Sequence, residues 1–326
     1  MKLGVFTVLF GREPLEAALD RAVEAGLDCV EIGTGNYPGD AHCRPAELLA
    51  DGARLASFRE AVASRGLEIS ALSCHGNPLH PRGEIARASH EVFLRTVELA
   101  ERLGVDRINL FSGCPGDSET ASYPNWVTCA WPSEYGELLD WQWREKVVPY
   151  WRDQAAFARA HAVRLGFEMH PGFVVYNPSS LIRLREACGG DGEAVGANLD
   201  PSHLFWQGVD LETAIAELGR VGAIFHTHAK DTAIQPRNAA LNGVLDTVPL
   251  DQVGRRSWIF RTVGYGHGEL DWRRILSALR LAGYDDVLSI EHEDALMSID
   301  DGFRKGVAFL RSVMPVEPAL GDAWWT

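Results

Sequence analysis

The chain has 326 residues, of which 46% are hydrophobic and 23% charged, enough apolar material for a large packed core, and this composition excludes a disordered or fibrous chain. Its 31 Lys and Arg residues against 45 Asp and Glu residues give a formal net charge of −14, which disfavours nucleic acids and anionic membranes as partners. The six cysteines form no C-x-x-C pair and are too sparse for a disulfide framework. With no cleavable leader pattern and no apolar run of about 18 residues, we expect a cytoplasmic protein with reduced thiols.

Short apolar runs alternate along the whole chain with longer segments whose apolar residues recur at helical spacing. The predicted strands cover residues 3–10, 29–33, 67–72, 105–111, 163–169, 194–200, 222–230 and 286–292. The predicted helices begin at Pro14 and then cover residues 45–65, 85–103, 143–162, 178–187, 211–218, 271–281 and 300–313. Gly26, Gly66 and Gly104 each lie just past a predicted helix, where a helix C-terminus favours glycine.

Eight strand–helix units favour one particular α/β fold, the closed (β/α)8 TIM barrel, over an open doubly wound sheet, because about 250 residues plus insertions suits closure. We expect a single-domain barrel over residues 1–313 and a C-terminal tail, residues 314–326, that packs on the barrel or on a neighbouring subunit. Two segments interrupt the rhythm, residues 112–142 and 231–260. They follow predicted strands 4 and 7, so they are predicted as long loops on the face where barrel active sites are built.

Four polar residues lie at or near the carboxyl ends of predicted strands 5 to 8, and they are Glu168, Asp200, His228 and Glu291. In a closed barrel these positions converge. Three carboxylates and one imidazole suit Mn²⁺, Mg²⁺ or Co²⁺ better than a thiolate-type zinc site, and carboxylates this close would repel one another without a cation. The sequence therefore predicts a divalent metal site. His226 competes with His228 as the ligand, because residues two apart point to the same side of a strand and the spacing does not choose between them.

Five motifs in chain order resemble the xylose-isomerase-like superfamily of sugar phosphate isomerases and epimerases. They are FEMHPG around Glu168, NLDPSH at 198–203, HTHAKD around His228, VGYGHGELDW at 263–272 and SIEHED around Glu291. The resemblance implies a TIM barrel that acts on a small carbohydrate and holds one divalent metal through Glu168, Asp200, His228 and Glu291. His228 is preferred because it begins the H-A-K-D stretch. The expected ion is Mn²⁺, with Mg²⁺, Co²⁺ or Zn²⁺ as alternatives, and a homo-oligomer stays open.

The reaction expected of such a site is that of a sugar isomerase or epimerase. A cation that bridges a carbonyl oxygen and the adjacent hydroxyl acts as a Lewis acid, and it stabilises the enediolate formed when the neighbouring C–H loses its proton. The resemblance implies that Glu168 and Glu291 exchange this proton with the substrate on opposite faces. These two glutamates are therefore the predicted catalytic residues.

Further polar residues are candidates for binding the substrate. The resemblance places His203 there, since related ketose epimerases use a histidine three residues after the Asp ligand. His170 points the same way along its strand as the first predicted ligand, and His75 ends the third predicted strand. Lys230 and Arg237 follow the predicted metal histidine and are candidates for binding a polar or anionic substituent.

Two positions depart from the ketose epimerases. Those enzymes usually carry a glutamate six residues after the first metal glutamate and an arginine six after the metal histidine, where this chain has Val174 and Ile234. The first alternative is therefore a lyase or dehydratase, which expels a β-leaving group from a 3-keto-glycoside or an inosose after the same proton abstraction. A second alternative, from another class, is a non-catalytic sugar-binding or assembly subunit. A three-zinc endonuclease IV-like enzyme is disfavoured by the charge and by Asn109, where that branch has a histidine ligand.

Overall fold

Eight parallel strands close into a barrel in the computed structural model, which describes residues 1–317. Numbered along the chain and taken in their order around the barrel, they are β1 (Lys2–Phe6), β10 (Val287–Ile290), β7 (Ile224–Ala229), β6 (Val195–Leu199), β5 (Arg164–Glu168), β4 (Arg107–Leu110), β3 (Glu68–Ser73) and β2 (Cys29–Gly33). The first strand pairs with the last, with Lys2 opposite Val287 and Val5 opposite Ile290. The (β/α)8 barrel predicted from the sequence is confirmed.

Helices cover the outside of the barrel. They are α1 (Leu15–Glu24), α2 (Pro45–Ala50), α3 (Gly52–Ala63), α4 (Gly83–Leu103), α5 (Ser133–Trp141), α6 (Val148–Ala160), α7 (Pro178–Ala187), α8 (Pro201–Gln207), α9 (Leu211–Arg220), α10 (Pro236–Asn242), α11 (Glu269–Leu281) and α12 (Ile299–Val313). A π-helical turn, Gln142–Val147, joins α5 to α6. Among the described residues, no helix is both long enough and apolar enough to cross a membrane.

One predicted helix and one predicted strand differ in extent from those observed. The helix predicted over 45–65 is broken at Asp51, whose backbone is extended and whose carboxylate caps α3 by accepting hydrogen bonds from the backbone N–H groups of Ala53 and Arg54. The strand predicted over 3–10 ends at Phe6, because Thr7–Phe10 form a 3₁₀ turn.

The apolar core lies between the strands and the surrounding helices. Trp151 of α6 packs edge-on against Phe167 of β5, with ring centroids 4.6 Å apart, and its indole N–H donates to the carbonyl oxygen of Ser112 at 2.8 Å. This bond matters because a buried indole N–H needs an acceptor. It also ties the start of the long segment after β4 to the core.

The segment after β7, predicted as a long loop, contains regular structure. Two strands, β8 (Asp231–Ile234) and β9 (Trp258–Arg261), form an antiparallel pair in which Asp231 lies opposite Arg261, and α10 lies between them. The segment after β4 is irregular from Phe111 to Pro132. The buried amide of Gln142 fastens it by donating to the carbonyl oxygens of Gly116 and Asn125, at 3.0 and 2.8 Å.

Asp231 organises the loop that follows β9. Its Oδ2 accepts hydrogen bonds from the backbone N–H groups of Gly264, Gly266 and His267 at 2.9–3.1 Å, and its Oδ1 accepts one from His267 Nδ1 at 2.7 Å. A Cβ atom at Gly266 would lie 2.3 Å from the carbonyl oxygen of Thr232. The glycines of the V-G-Y-G-H-G motif therefore let the backbone wrap closely around one buried carboxylate.

The predicted tail, residues 314–326, is described only as far as Glu317. The carbonyl oxygen of Glu317 accepts a hydrogen bond from Arg280 of α11 at 2.8 Å. Residues 318–326 lie outside the described part of the chain.

We expect Asp231→Asn to lower the free energy of unfolding by about 3 kcal/mol, because the neutral amide replaces a carboxylate that accepts several buried N–H groups. Urea denaturation followed by circular dichroism measures this change. Asp153→Asn, on the exposed face of α6, is the control and should shift the unfolding free energy by less than about 0.5 kcal/mol. Equal stability of the two variants would contradict this role of Asp231.

The thiols should differ sharply in reactivity. Cys129 is exposed and the other five cysteines are buried, and burial raises the pKa of Cys74 and of Cys114 to about 12. Since the thiolate is the reactive form, a chromogenic thiol reagent should label one group per native chain and six per chain in denaturant. Cys129→Ser should abolish the native signal. Rapid labelling of that variant would show that a second thiol is accessible.

Candidate metal centre

The four residues predicted as metal ligands come together at the C-terminal mouth of the barrel. Glu168 ends β5, Asp200 follows β6, His228 lies in β7 and Glu291 follows β10. One ligand atom of each lies within 4.8 Å of those of the other three. His228 Nδ1 is 3.1 Å from Glu291 Oε2, 3.3 Å from Glu168 Oε2 and 3.9 Å from Asp200 Oδ2. The four groups thus surround one point.

The two histidines of β7 have different surroundings. His226 lies deeper in the barrel, where its Nδ1 is 3.0 Å from Asn198 Oδ1 and its Nε2 is 3.2 Å from Ser70 Oγ. Only His228 faces the carboxylates at the mouth. The structure therefore separates the two candidates that the sequence spacing left open, and the geometry favours His228.

The donor set fits a hard divalent cation. Asp200 Oδ1 accepts a hydrogen bond from the backbone N–H of Ser202 at 2.8 Å, whereas the buried Oδ2 has no hydrogen-bond partner. The nearest cation to that oxygen is the Lys230 ammonium, at 3.3 Å. An unpartnered buried carboxylate oxygen is costly, and an oxygen-rich set with one imidazole is the kind that Mn²⁺ or Mg²⁺ prefers. These residues could therefore hold a metal ion.

The rings of three histidines contact the carboxylate of Glu168. His75 Nε2 lies 3.0 Å and His228 Nδ1 lies 3.3 Å from Oε2, while His203 Nε2 lies 3.1 Å from Oε1. Burial would raise the pKa of Glu168, but His75, His203 and His228 outweigh it and hold the pKa well below the usual range. Glu168 is therefore an anion in this arrangement.

His170, predicted to bind substrate, lies against His203 with ring centroids 4.0 Å apart. Burial, reinforced by the charge of His203, lowers the pKa of His170 to about 3. His170 is therefore neutral near pH 7. Its Nδ1–H donates to the carbonyl oxygen of Pro171 at 2.6 Å, so its Nε2 can accept a hydrogen bond from a hydroxyl.

Lys230 reaches the same centre. Its buried ammonium lies 3.0 Å from Glu291 Oε2, 3.2 Å from Glu293 Oε2 and 4.6 Å from the centroid of the Phe260 ring. Burial acts to lower the pKa of Lys230, but the carboxylates of Glu291, Glu293 and Asp200 outweigh it and raise the pKa well above its usual value. Arg237, in contrast, is exposed on α10 and does not line the cavity.

A cavity of about 360 Å³ opens over these side chains. Its polar lining consists of His75, His170, His203, Lys230, Glu168, Glu291 and Glu293. Three aromatic side chains also line the cavity: Phe111 stacks on Phe173 with centroids 4.4 Å apart, and Tyr37 lies 6.0 Å from Phe111. The sequence analysis did not single out these three rings, because nothing in a single sequence distinguishes a cavity aromatic from a core one.

The two positions that depart from the ketose epimerases lie away from the cavity wall. Val174 is buried, and its backbone N–H donates to the carbonyl oxygen of Gly113 at 3.0 Å. Ile234 is partly exposed at the end of β8. Neither position brings a polar group to the mouth of the barrel.

Glu31 is a buried acid near the centre that the sequence analysis did not identify. It lies on β2, and His228 Nε2 is 3.0 Å from its Oε2. Burial would raise the pKa of Glu31, but His228 and His226 outweigh it and keep the pKa well below its usual value. The available signal was a single charged residue in the otherwise apolar run C-V-E-I-G, since an unpaired charge is rarely buried.

Sequence comparison agrees with the fold. A family model described as "Xylose isomerase-like TIM barrel" matches residues 19–313, and the chain belongs to this family. A relative from Bacillus subtilis (strain 168), "Uncharacterized protein YfiH", is 36% identical over 317 residues, which cover 96% of this chain and 99% of the relative.

Several solved structures share the fold at low sequence identity. A "probable 3-DHS dehydratase AsbF" from Bacillus anthracis has a TM-score of 0.64 at 17% identity, over 95% of this chain and 99% of its own. A "D-tagatose 3-epimerase-like protein" has a TM-score of 0.62 at 19% identity, over 96% and 98%. The "IOLI protein with a binding zinc atom" has the same TM-score, identity and coverage.

We expect Mn²⁺ to stabilise the protein. An ion present at about 100 times its dissociation constant should add about 2.7 kcal/mol to the free energy of unfolding, which appears as a rise of several degrees in the thermal midpoint. Asp200→Asn should lose this rise, because it removes the carboxylate whose Oδ2 lacks a partner. A wild-type midpoint that no divalent ion raises would contradict the metal site.

Proposed function

We propose that this protein is a divalent-metal-dependent sugar isomerase or epimerase that removes a proton next to a carbonyl group. The observation that carries the proposal is the placement of two glutamates on either side of one imidazole nitrogen. Glu168 Oε2 and Glu291 Oε2 lie 3.3 and 3.1 Å from His228 Nδ1 and follow β5 and β10, which are separated in the barrel by β6 and β7. A substrate carbon held between them would meet a carboxylate on each face.

In this proposal the side chains have the following roles. Glu168 and Glu291 exchange the proton with the substrate on opposite faces: the ionised glutamate takes the proton as the base, and the other, which must be protonated, returns one as the acid, so the roles depend on which face reacts. Neutral His170 accepts a hydrogen bond from a substrate hydroxyl at Nε2, since its Nδ1–H donates to the carbonyl oxygen of Pro171. His203 helps to orient the substrate, and Lys230 places a positive charge beside the carbon chain. A divalent ion, Mn²⁺ in this proposal, would supply Lewis-acid stabilisation of the enediolate oxygens. The proposed substrate is a small carbohydrate, and the proposed location is the cytoplasm.

A lyase or dehydratase is the second candidate. The stacked rings of Phe111 and Phe173 in the cavity lining offer a flat apolar face of the kind on which a ring-form sugar packs. A second cavity, of about 490 Å³, shares Glu293 with the 360 Å³ cavity over the candidate metal centre. A leaving group could lie in this second cavity. Solved structures of similar fold include one described as an epimerase-like protein and one as a dehydratase, and proton abstraction next to a carbonyl begins either reaction.

The test is solvent-deuterium exchange followed by NMR with metal-loaded protein. The panel contains ketoses, 3-keto-glycosides and inososes. We expect one of them to exchange a single carbon-bound proton, and Glu168→Gln and Glu291→Gln each to slow the exchange by at least about 100-fold, a typical contribution of general acid–base catalysis. Glu98→Gln, on the exposed face of α4, should exchange at the wild-type rate.

The products distinguish the candidates. Exchange with an epimer or isomer supports the leading function, whereas exchange with loss of a substituent and formation of an enone supports the lyase. If metal-loaded protein binds sugars but exchanges no proton in any of them, the molecule is a sugar-binding subunit instead.

A further inference from the structure

Glu31 is a fully buried carboxylate inside the barrel and belongs to neither the predicted metal site nor the predicted substrate site. Its Oε1 accepts hydrogen bonds from Ser73 Oγ and from Asn109 Nδ2, the latter at 2.9 Å. Its Oε2 accepts one from Ser289 Oγ at 2.7 Å. His228 Nε2 lies 3.1 Å from Oε1 and 3.0 Å from Oε2. Side chains from β3, β4, β7 and β10 therefore converge on one carboxylate.

This carboxylate faces one nitrogen of the His228 ring, and the carboxylates of the candidate metal centre face the other. Since an ionised carboxylate only accepts hydrogen bonds, Nε2 must be the nitrogen that carries a hydrogen atom toward Glu31. In a neutral imidazole the second nitrogen then has a free lone pair. Nδ1, which points at Glu168 and Glu291, is thereby left ready to bind a cation.

We propose that Glu31 is a positioning residue that holds the His228 ring with Nε2–H toward the barrel interior and the Nδ1 lone pair toward the metal centre. The inference rests on the metal centre of the proposed function and adds a residue to it. A carboxylate that accepts the second N–H of a metal-binding histidine fixes the tautomer and the ring orientation and increases the basicity of the ligand nitrogen.

Glu31, His226 and His228 lie close enough to form a second set of metal-binding groups, but their hydrogen bonds argue for the positioning role. Both oxygens of Glu31 are already occupied by donors. His226 Nε2 is 4.0 Å from Glu31 Oε2 and is hydrogen-bonded to Ser70 instead. The outer set, in contrast, contains a buried carboxylate oxygen without a hydrogen-bond partner, Asp200 Oδ2.

The test compares wild-type protein with Glu31→Gln. The amide keeps the shape of the side chain, but it is neutral and leaves one acceptor oxygen where the carboxylate has two. His228 Nε2 must then compete for that oxygen with the other donors that surround Glu31. We expect Mn²⁺ affinity, measured by competition with a fluorescent chelator, to fall by about 10–100-fold, the usual effect of losing such a partner. In Zn²⁺-loaded wild-type protein, long-range ¹H–¹⁵N spectra should show His228 protonated at Nε2 and coordinated through Nδ1.

Two controls separate positioning from charge and from stability. Glu98→Gln removes the same charge on the exposed face of α4, and Mn²⁺ affinity should then change by less than about 3-fold, as for a largely screened exposed charge. Leu288→Val shortens a buried core side chain on β10, and it should lower the thermal midpoint while leaving the affinity within the same limit. Ser289→Ala removes one donor but keeps the carboxylate on His228, so its effect should lie between those of Glu31→Gln and the wild type.

Three results would overturn the inference. They are Zn²⁺ coordination of wild-type His228 through Nε2, Mn²⁺ binding by Glu31→Gln as tight as in the wild type, and an equal loss of affinity in Glu31→Gln and Glu98→Gln. The first needs no variant, so it decides the matter even if Glu31→Gln does not fold. Wild-type protein that binds no divalent ion would overturn this inference and the proposed function together, whereas metal-loaded protein without substrate exchange would contradict only the proposed function.

Discussion

Enclosed negative charge is the constraint on which the rest of this structure depends. Glu31, Glu168 and Asp200 are buried inside the barrel or at its mouth, and a buried carboxylate is tolerated only when partners compensate the loss of water. Here the partners are side chains from neighbouring strands, among them Ser73, Asn109 and His228. Because each comes from a different strand, the compensation exists only when the barrel is closed in this register.

Much of the fold could be predicted, because its physical causes are local. Apolar runs, helical periodicity and glycines after helices marked all eight barrel strands. The β8–β9 pair was not predicted because its short strands lie in a segment of mixed charge. That segment lacks the alternation of apolar runs with long helical patterns that marked the equally short β4 and β10. The break at Asp51 was missed for a similar reason, since one capping residue within a helical pattern does not interrupt the periodicity.

The candidate metal centre, like the fold, could be predicted from the sequence only in part. Its four outer groups could be expected to converge, since the carboxyl ends of parallel strands share one rim. The choice between His226 and His228 as the metal ligand required the three-dimensional structure, because a two-residue spacing does not tell how far along the barrel axis each ring lies. Glu31 and the ring pair Phe111–Phe173 depend on contacts between strands or loops far apart in sequence. A residue whose role depends on contacts with distant parts of the chain has no characteristic pattern in the sequence next to it.

The attachment of the β8–β9 insertion has a consequence for how this molecule can diversify. Asp231 ties the base of the hairpin to the loop at 264–267, directly beside Lys230 but apart from the hydrogen bonds that hold His228. Residues between Ile234 and Trp258 can therefore be lengthened, shortened or exchanged over evolutionary time while both ends of the insertion stay anchored. The length and sequence of the insertion could in this way vary among relatives without a change in the candidate metal centre.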